Sequence, residues 1–264
     1  MKDTADEGRI NTSIEENILI MEVDRPAKLN GFTPEMFRQL AEAFTHLEHN
    51  DELRVGMVIP KGPHFSAGLD LPKFAPLMKR GEPLIPADLI DPFDLREPRR
   101  SKPIVLGLKG ISYTLAVELA MAADIAIAGS DCKMTQIEVK RGVMATGGAT
   151  IRMVERAGWS NAMRWLLTGD IFSAQEALRL NIVSEVVPSE AVIDTAMEIA
   201  KRIARAAPMA VLETRRNALL ALEGDQNAAS ADFSVIQQKL AGSADAQEGV
   251  RAFTEKRDPQ FKGE

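Results

Sequence analysis

Two glutamates are the residues of this chain best suited to do chemistry. Glu118 stands in an otherwise apolar run, Ala116-Val117-Glu118-Leu119-Ala120-Met121, and Glu138 follows 20 residues later in Thr135-Gln136-Ile137-Glu138-Val139. Glutamate is rarely buried in full unless it is paired or put to use. Two carboxylates facing one cleft can hold a water and divide acid and base roles between them. Within a few ångströms of each other they titrate as a coupled pair. The residues alone leave another reading open, with Glu138 a surface carboxylate and Glu118 a structural partner for a backbone group or an arginine. A second candidate is Phe65-Ser66-Ala67-Gly68-Leu69-Asp70, a small-residue turn after a strand. Backbone N–H groups in such a turn can point into a cleft and stabilise an oxyanion, although turns of this kind are common.

Other chemistries find little support. The chain has no HExxH, CxxC or P-loop pattern, and Gly147-Gly148 does not fit a dinucleotide fingerprint. His46 and His49 read as solvated-face residues of a helix, and His64 as a surface loop residue. The single cysteine, Cys132, can form neither an internal disulfide nor a thiolate zinc site, so no metal is expected. The 38 acidic and 32 basic side chains give a net charge of -6, which argues against a nucleic-acid partner but not against a small anionic ligand met by a local basic patch. No apolar run is long enough to span a bilayer, and the polar start MKDTADEGRINTSIEEN is no secretory signal. A soluble, cytoplasmic protein without a membrane partner is expected.

The elements that must position these residues follow from pattern. Asn17 to Val23 reads as a strand and Val55 to Ile59 as another. Thr33-Pro34 opens a helix whose Phe37, Leu40, Phe44 and Leu47 share one face. Pro103 to Leu108 is a strand, Tyr113 to Ala122 a buried helix, and Asp124 to Ala128 a strand. Residues 71–100 hold six prolines, which argue against a long helix and suggest a loop covering a pocket. Ser173 to Glu176 is a capping-box pattern, Val183 to Val187 a strand, and the rest helical, with a last helix starting near Asp245. The alternation predicts an α/β layer fold. A core over residues 1–200 and an apolar helical region over 201–264 are expected.

Taken in order, several segments resemble the crotonase (enoyl-CoA hydratase/isomerase) superfamily. They are Asp24 to Asn30 (DRPAKLN), FSAGLDL at 65–71, ELAMAAD at 118–124, Glu138 with Gly142 and Gly147 to Thr150, LTGDIFSAQEALRLNIVSEVVP at 167–188, and EGVRAFTEKRDPQFKG at 248–263. The resemblance implies a spiral of ββα units with a C-terminal helical region that forms trimers, often paired into hexamers. It implies an acyl-CoA substrate, coenzyme A being part of that substrate and no separate cofactor being needed. The backbone N–H groups of Leu69 and Leu115 would hold the thioester oxygen. Ala27, Lys28 and Ala67 would lie by the 3′-phosphate–ADP part of coenzyme A. Glu118 would chiefly bind and activate water, and Glu138 would act as base and C2 proton donor. Both glutamates of the hydratases fall at matching positions, which implies water addition to a trans-2-enoyl-CoA in fatty acid metabolism. Isomerisation, thioester hydrolysis and coenzyme A binding without turnover are the alternatives. One departure stands out: Thr114-Leu115-Ala116 replaces a glycine triplet, adding side chains that would reshape the pocket if they point inward.

Overall fold

A computed structural model describes residues 7–264. The first six residues of the polar N-terminal segment lie outside those described. The strands are β1 (Arg9–Glu15), β2 (Ile18–Asp24), β3 (Val55–Pro60), β4 (Ile104–Leu108), β5 (Ile111–Tyr113), β6 (Ile125–Gly129), β7 (Lys133–Thr135), β8 (Phe172–Ser173) and β9 (Glu185–Val187). The main sheet runs β1-β2-β3-β4-β6-β9, parallel except for β1 against β2, and a small sheet runs β5-β7-β8. The chain gives β4 to the large sheet and β5 to the small one, then a helix. It repeats this with β6 and β7. A bridge between Ser66 and Ser112 extends the small sheet to the unit begun by β3. This is the expected α/β spiral of ββα units. The central strands are apolar on both faces, as a parallel sheet covered by helices requires.

Helix α1 (Pro34–His49) starts as expected: Thr33 Oγ1 accepts from Met36 N–H at 3.2 Å and Pro34 occupies the first turn. Its Phe37, Leu40, Phe44 and Leu47 are buried, while His46 and His49 face solvent. Several sequence expectations need correction. The unanticipated β1 is a polar edge strand in which Ile10 is buried, while Ile14, on the same face but further along, is exposed. Residues 71–100 are not irregular throughout, because α2 (Leu71–Arg80) forms there. Pro72 sits where the helix has no N–H to satisfy, Phe74 is fully buried against Phe37, and Gly81 at φ +68° ends the helix. Burial of that phenyl ring contributes about 2 kcal/mol, enough to offset much of the cost of Pro76 inside the helix. The buried helix α3 (Leu115–Ala122) begins two residues later than expected, since Tyr113 completes β5.

Helices α4 (Ala149–Ala157) and α5 (Trp159–Leu166) follow the glycine pair. Before α6 (Ala174–Arg179), Ser173 Oγ accepts from Glu176 N–H, but the Glu176 carboxylate bonds Arg179, so the capping box is half closed. The boundary expected at residue 200 falls inside α7 (Val192–Ala204), whose Ala196, Ala200 and Ala204 pack on the main sheet. Beyond it come α8 (Pro208–Leu222), α9 (Gln226–Ala231), α10 (Phe233–Ala241) and α11 (Ala244–Glu255). Arg215 of α8 ties this region down, donating to Asp124 Oδ1 (2.8 Å), Asp94 Oδ2 (3.2 Å) and the Arg100 carbonyl (2.7 Å). Ser243, rather than Asp245, caps α11. The buried Asp245 instead accepts from Lys262 and Gly263 N–H at 2.7 and 2.8 Å, holding the chain end. No described helix is long and apolar enough to cross a membrane.

Candidate active site

The segment around the FSAGLD turn is built by the Asp24–Asn30 segment. Asn30 accepts from Arg25 N–H (2.7 Å) and donates to the carbonyls of Lys61 (3.0 Å) and His64 (2.7 Å). Arg25, buried, bonds the Gly31 carbonyl (2.8 Å) and Asp70 (2.9 Å). Ser66 Oγ donates to the Asn30 carbonyl and accepts from Gly68 N–H. His64 is therefore more than a surface residue: it is half-buried, and its Nδ1 accepts from Ile111 N–H at 3.2 Å, joining the turn to β5.

This construction brings two leucines, Leu69 and Leu115, to the wall of one cavity. Ser66 pairs with Ser112, and three residues further along each segment lie Leu69 and Leu115. Gly68, at φ +101°, packs so closely on Thr114 that a Cβ there would stand 2.4 Å from Thr114 Oγ1. Thr114 itself takes φ +50° and ψ -107°, a turn that releases the chain into α3. Leu115 N–H is then one of the orphan donors of a helix N-terminus, where the helix dipole adds positive potential. Among the described residues no acceptor takes the N–H of Leu69 or of Leu115.

Both leucines, Ala67, Glu118 and Glu138 line one cavity of about 420 Å³. Glu118 is 5% exposed. Its Oε1 accepts from Gly147 N–H (2.7 Å) and Ala149 N–H (3.3 Å). Burial pushes its carboxyl up to about 7, with the neighbouring Glu138 adding to the rise and the two amides and Arg152 opposing it. Glu138 is half-buried at the start of a one-turn 3-10 helix (Glu138–Arg141), and burial raises its carboxyl too. The Gln136 amide, turned to satisfy its neighbours, donates to both Glu138 oxygens at 2.9 and 3.1 Å. The glycine pair, which fits no dinucleotide fingerprint, serves close approach: a Cβ on Gly147 would stand 2.6 Å from Glu118 Oε2. Two glycines ahead of a helix start were the available signal. No such signal marked Gln136, which reaches Glu138 from the end of β7.

The remaining wall is mostly apolar. Residues 71–100 contribute Leu71, Pro72, Met78, Leu84 and Phe93, so the proline-rich stretch does cover the cavity. Leu115 also lines it, whereas Ala116 is buried in the core. Ala27 and Lys28 do not line the cavity. They sit on an exposed 3-10 turn, Pro26–Lys28, whose neighbour Leu29 accepts from Ala67 N–H at 2.9 Å. A larger space of about 1170 Å³ lies between α8 and the core and contains neither glutamate. Two unoccupied amide donors beside two carboxyls of raised pKa, in a largely apolar cavity, can polarise a carbonyl while moving protons next to it.

This α/β spiral and its cavity define a fold shared with known proteins. Residues 13–264 match the family model described as Enoyl-CoA hydratase/isomerase. The chain belongs to that family, within the crotonase superfamily. A probable enoyl-CoA hydratase/isomerase from Mycobacterium abscessus is 40% identical with a TM-score of 0.92, over 97% of this chain and 98% of that one. The 1,2-epoxyphenylacetyl-CoA isomerase of Escherichia coli is 32% identical over 96% of this chain and 98% of its own. The (E)-benzylidenesuccinyl-CoA hydratase of Thauera aromatica is 28% identical over 96% and 99%.

Proposed function

We propose that the protein adds water across the 2,3 double bond of a trans-2-enoyl-CoA. The observation that carries this reading is the meeting of Glu118, Glu138 and the N–H groups of Leu69 and Leu115 on one cavity. An enoyl thioester is a poor electrophile until charge can move onto its oxygen. Two N–H donors in a dry site stabilise that charge, each worth about 3 kcal/mol. Glu118 Oε1 is occupied by backbone amides, which leaves Oε2 to bind and activate the water. The water oxygen bonds to C3, Glu138 takes its proton, and a proton is returned to C2 as the enolate collapses. Ala27, Lys28 and Ala67 flank the path of the 3′-phosphate–ADP part. Phe233, Val235, Val250 and Phe253, all exposed on α10 and α11, supply an apolar surface for a trimer or hexamer.

The test is loss of the conjugated enoyl-thioester absorbance with a short trans-2-enoyl-CoA. Glu118→Gln and Glu138→Gln should each slow it by about 10²-fold or more. Near-parental rates in both would sink the assignment. Light scattering tests the assembly, which a monomer would contradict. Isomerisation is the second reading, favoured by the 32%-identical relative named as an isomerase. Product mass separates the two, since hydration adds a water and isomerisation adds nothing.

A further inference from the structure

The 3-10 turn that carries Glu138 also carries Arg141. A 3-10 helix completes a turn in three residues, so side chains at i and i+3 eclipse one another. Glu138 and Arg141 therefore leave the turn on the same side, and both line the cavity. Gly142, at φ +73°, closes the turn, and Val143 N–H bonds the Glu138 carbonyl at 3.2 Å, which fixes this arrangement.

Every acid on the cavity wall is already engaged. Asp70 pairs with Arg25 at 2.9 Å, Glu118 accepts two backbone amides, and Glu138 accepts the Gln136 amide. Arg141, itself exposed to solvent, is the only cation among the residues lining the cavity, and among the described residues no protein group pairs with it. The groups around it, Val143, Met144 and Ile137, are apolar. A guanidinium offers five N–H donors in a planar fork that matches a carboxylate. Nothing in the wall itself uses that fork.

We infer that the acyl group taken by this cavity carries its own carboxylate, held by Arg141 beyond the double bond that Glu138 serves. The inference rests on the acyl-CoA reading above and adds the substrate class. Adipoyl-CoA, whose acyl group ends in a carboxylate, serves as the probe of this class.

The test compares hexanoyl-CoA with adipoyl-CoA, saturated thioesters of equal length that differ in a terminal methyl or carboxylate. Both lack the double bond, so calorimetry reads binding apart from turnover. The parent should bind adipoyl-CoA roughly tenfold more tightly. In Arg141→Leu that ratio should fall toward one, and in Arg141→Lys it should be kept in part, because an ammonium retains charge without the fork. Equal affinities in the parent overturn the inference. So does an equal loss for both thioesters in Arg141→Leu, which would place Arg141 against the shared coenzyme A portion. If neither thioester binds, the acyl-CoA reading falls first and the inference falls with it.

Discussion

Replacing Glu118 by glutamine should stabilise the protein while disabling it. The side chain is 5% exposed, and the amides of Gly147 and Ala149 bond Oε1, an atom that a glutamine carbonyl can replace. The carboxyl titrates near 7 in the fold against an ordinary value of 4.5. Below pH 4.5 it is protonated in folded and unfolded chains alike, and burial costs little. Above about 7 it is ionised in both, and the folded state bears the full cost of a desolvated charge. At 1.36 kcal/mol per pH unit that cost is roughly 3 kcal/mol. Glutamine removes the charge and keeps the shape, so the advantage of the variant should grow as pH rises from 5 to 8. For a chain of this size the gap at pH 8 corresponds to a melting-temperature rise of about 6–12 °C. Thermal melts of both proteins across that range read it directly, beside the hydration assay. A pH-independent difference in melting temperature would refute the burial argument. An unchanged hydration rate would refute the proposed role of the carboxylate.

Gly147→Ala should slow hydration and cost about 1–3 kcal/mol, because its Cβ would stand 2.6 Å from Glu118 Oε2 and 2.9 Å from the Phe93 ring. Parental melting and kinetics together would show that the site yields freely. Gly68→Ala should lower kcat, since φ +101° disfavours a side chain and its Cβ would meet Thr114 Oγ1, shifting Leu69 N–H against Leu115 N–H. An unchanged kcat would separate that contact from catalysis. Cys132 is buried, and burial pushes its thiol up to about 12, so a thiol reagent at pH 8 should label it only after denaturation. Rapid labelling of the native protein would contradict that burial. Asp245→Ala removes two hydrogen bonds at a buried carboxylate and should cost about 1.5–3 kcal/mol in urea unfolding, whereas an unmoved midpoint would show that the chain end is not held there.

The sequence by itself determined the elements whose periodicity is strong and whose ends are marked. Thr33-Pro34 with Phe37, Leu40, Phe44 and Leu47 could only be an amphipathic helix, because capping and the 3.6-residue period are local properties. The ordered segments from Asp24 to Gly263 carried the family resemblance, and an isolated glutamate in an apolar run marked Glu118. Tertiary structure decided what depends on partners distant in the chain. β1 exists because β2 accepts its ladder, although its own residues are polar. α2 forms across two prolines because Phe74 finds Phe37. Gly147 lies 29 residues beyond Glu118, and only folding brings its N–H within 2.7 Å of that carboxylate. Leu69 and Leu115 likewise come to line one cavity only where the chain pairs Ser66 with Ser112. A local pattern can name a residue type able to do chemistry. The environment that shifts a carboxyl's pKa or leaves an amide unoccupied is made by groups converging from across the chain, and that convergence is not written in spacing alone.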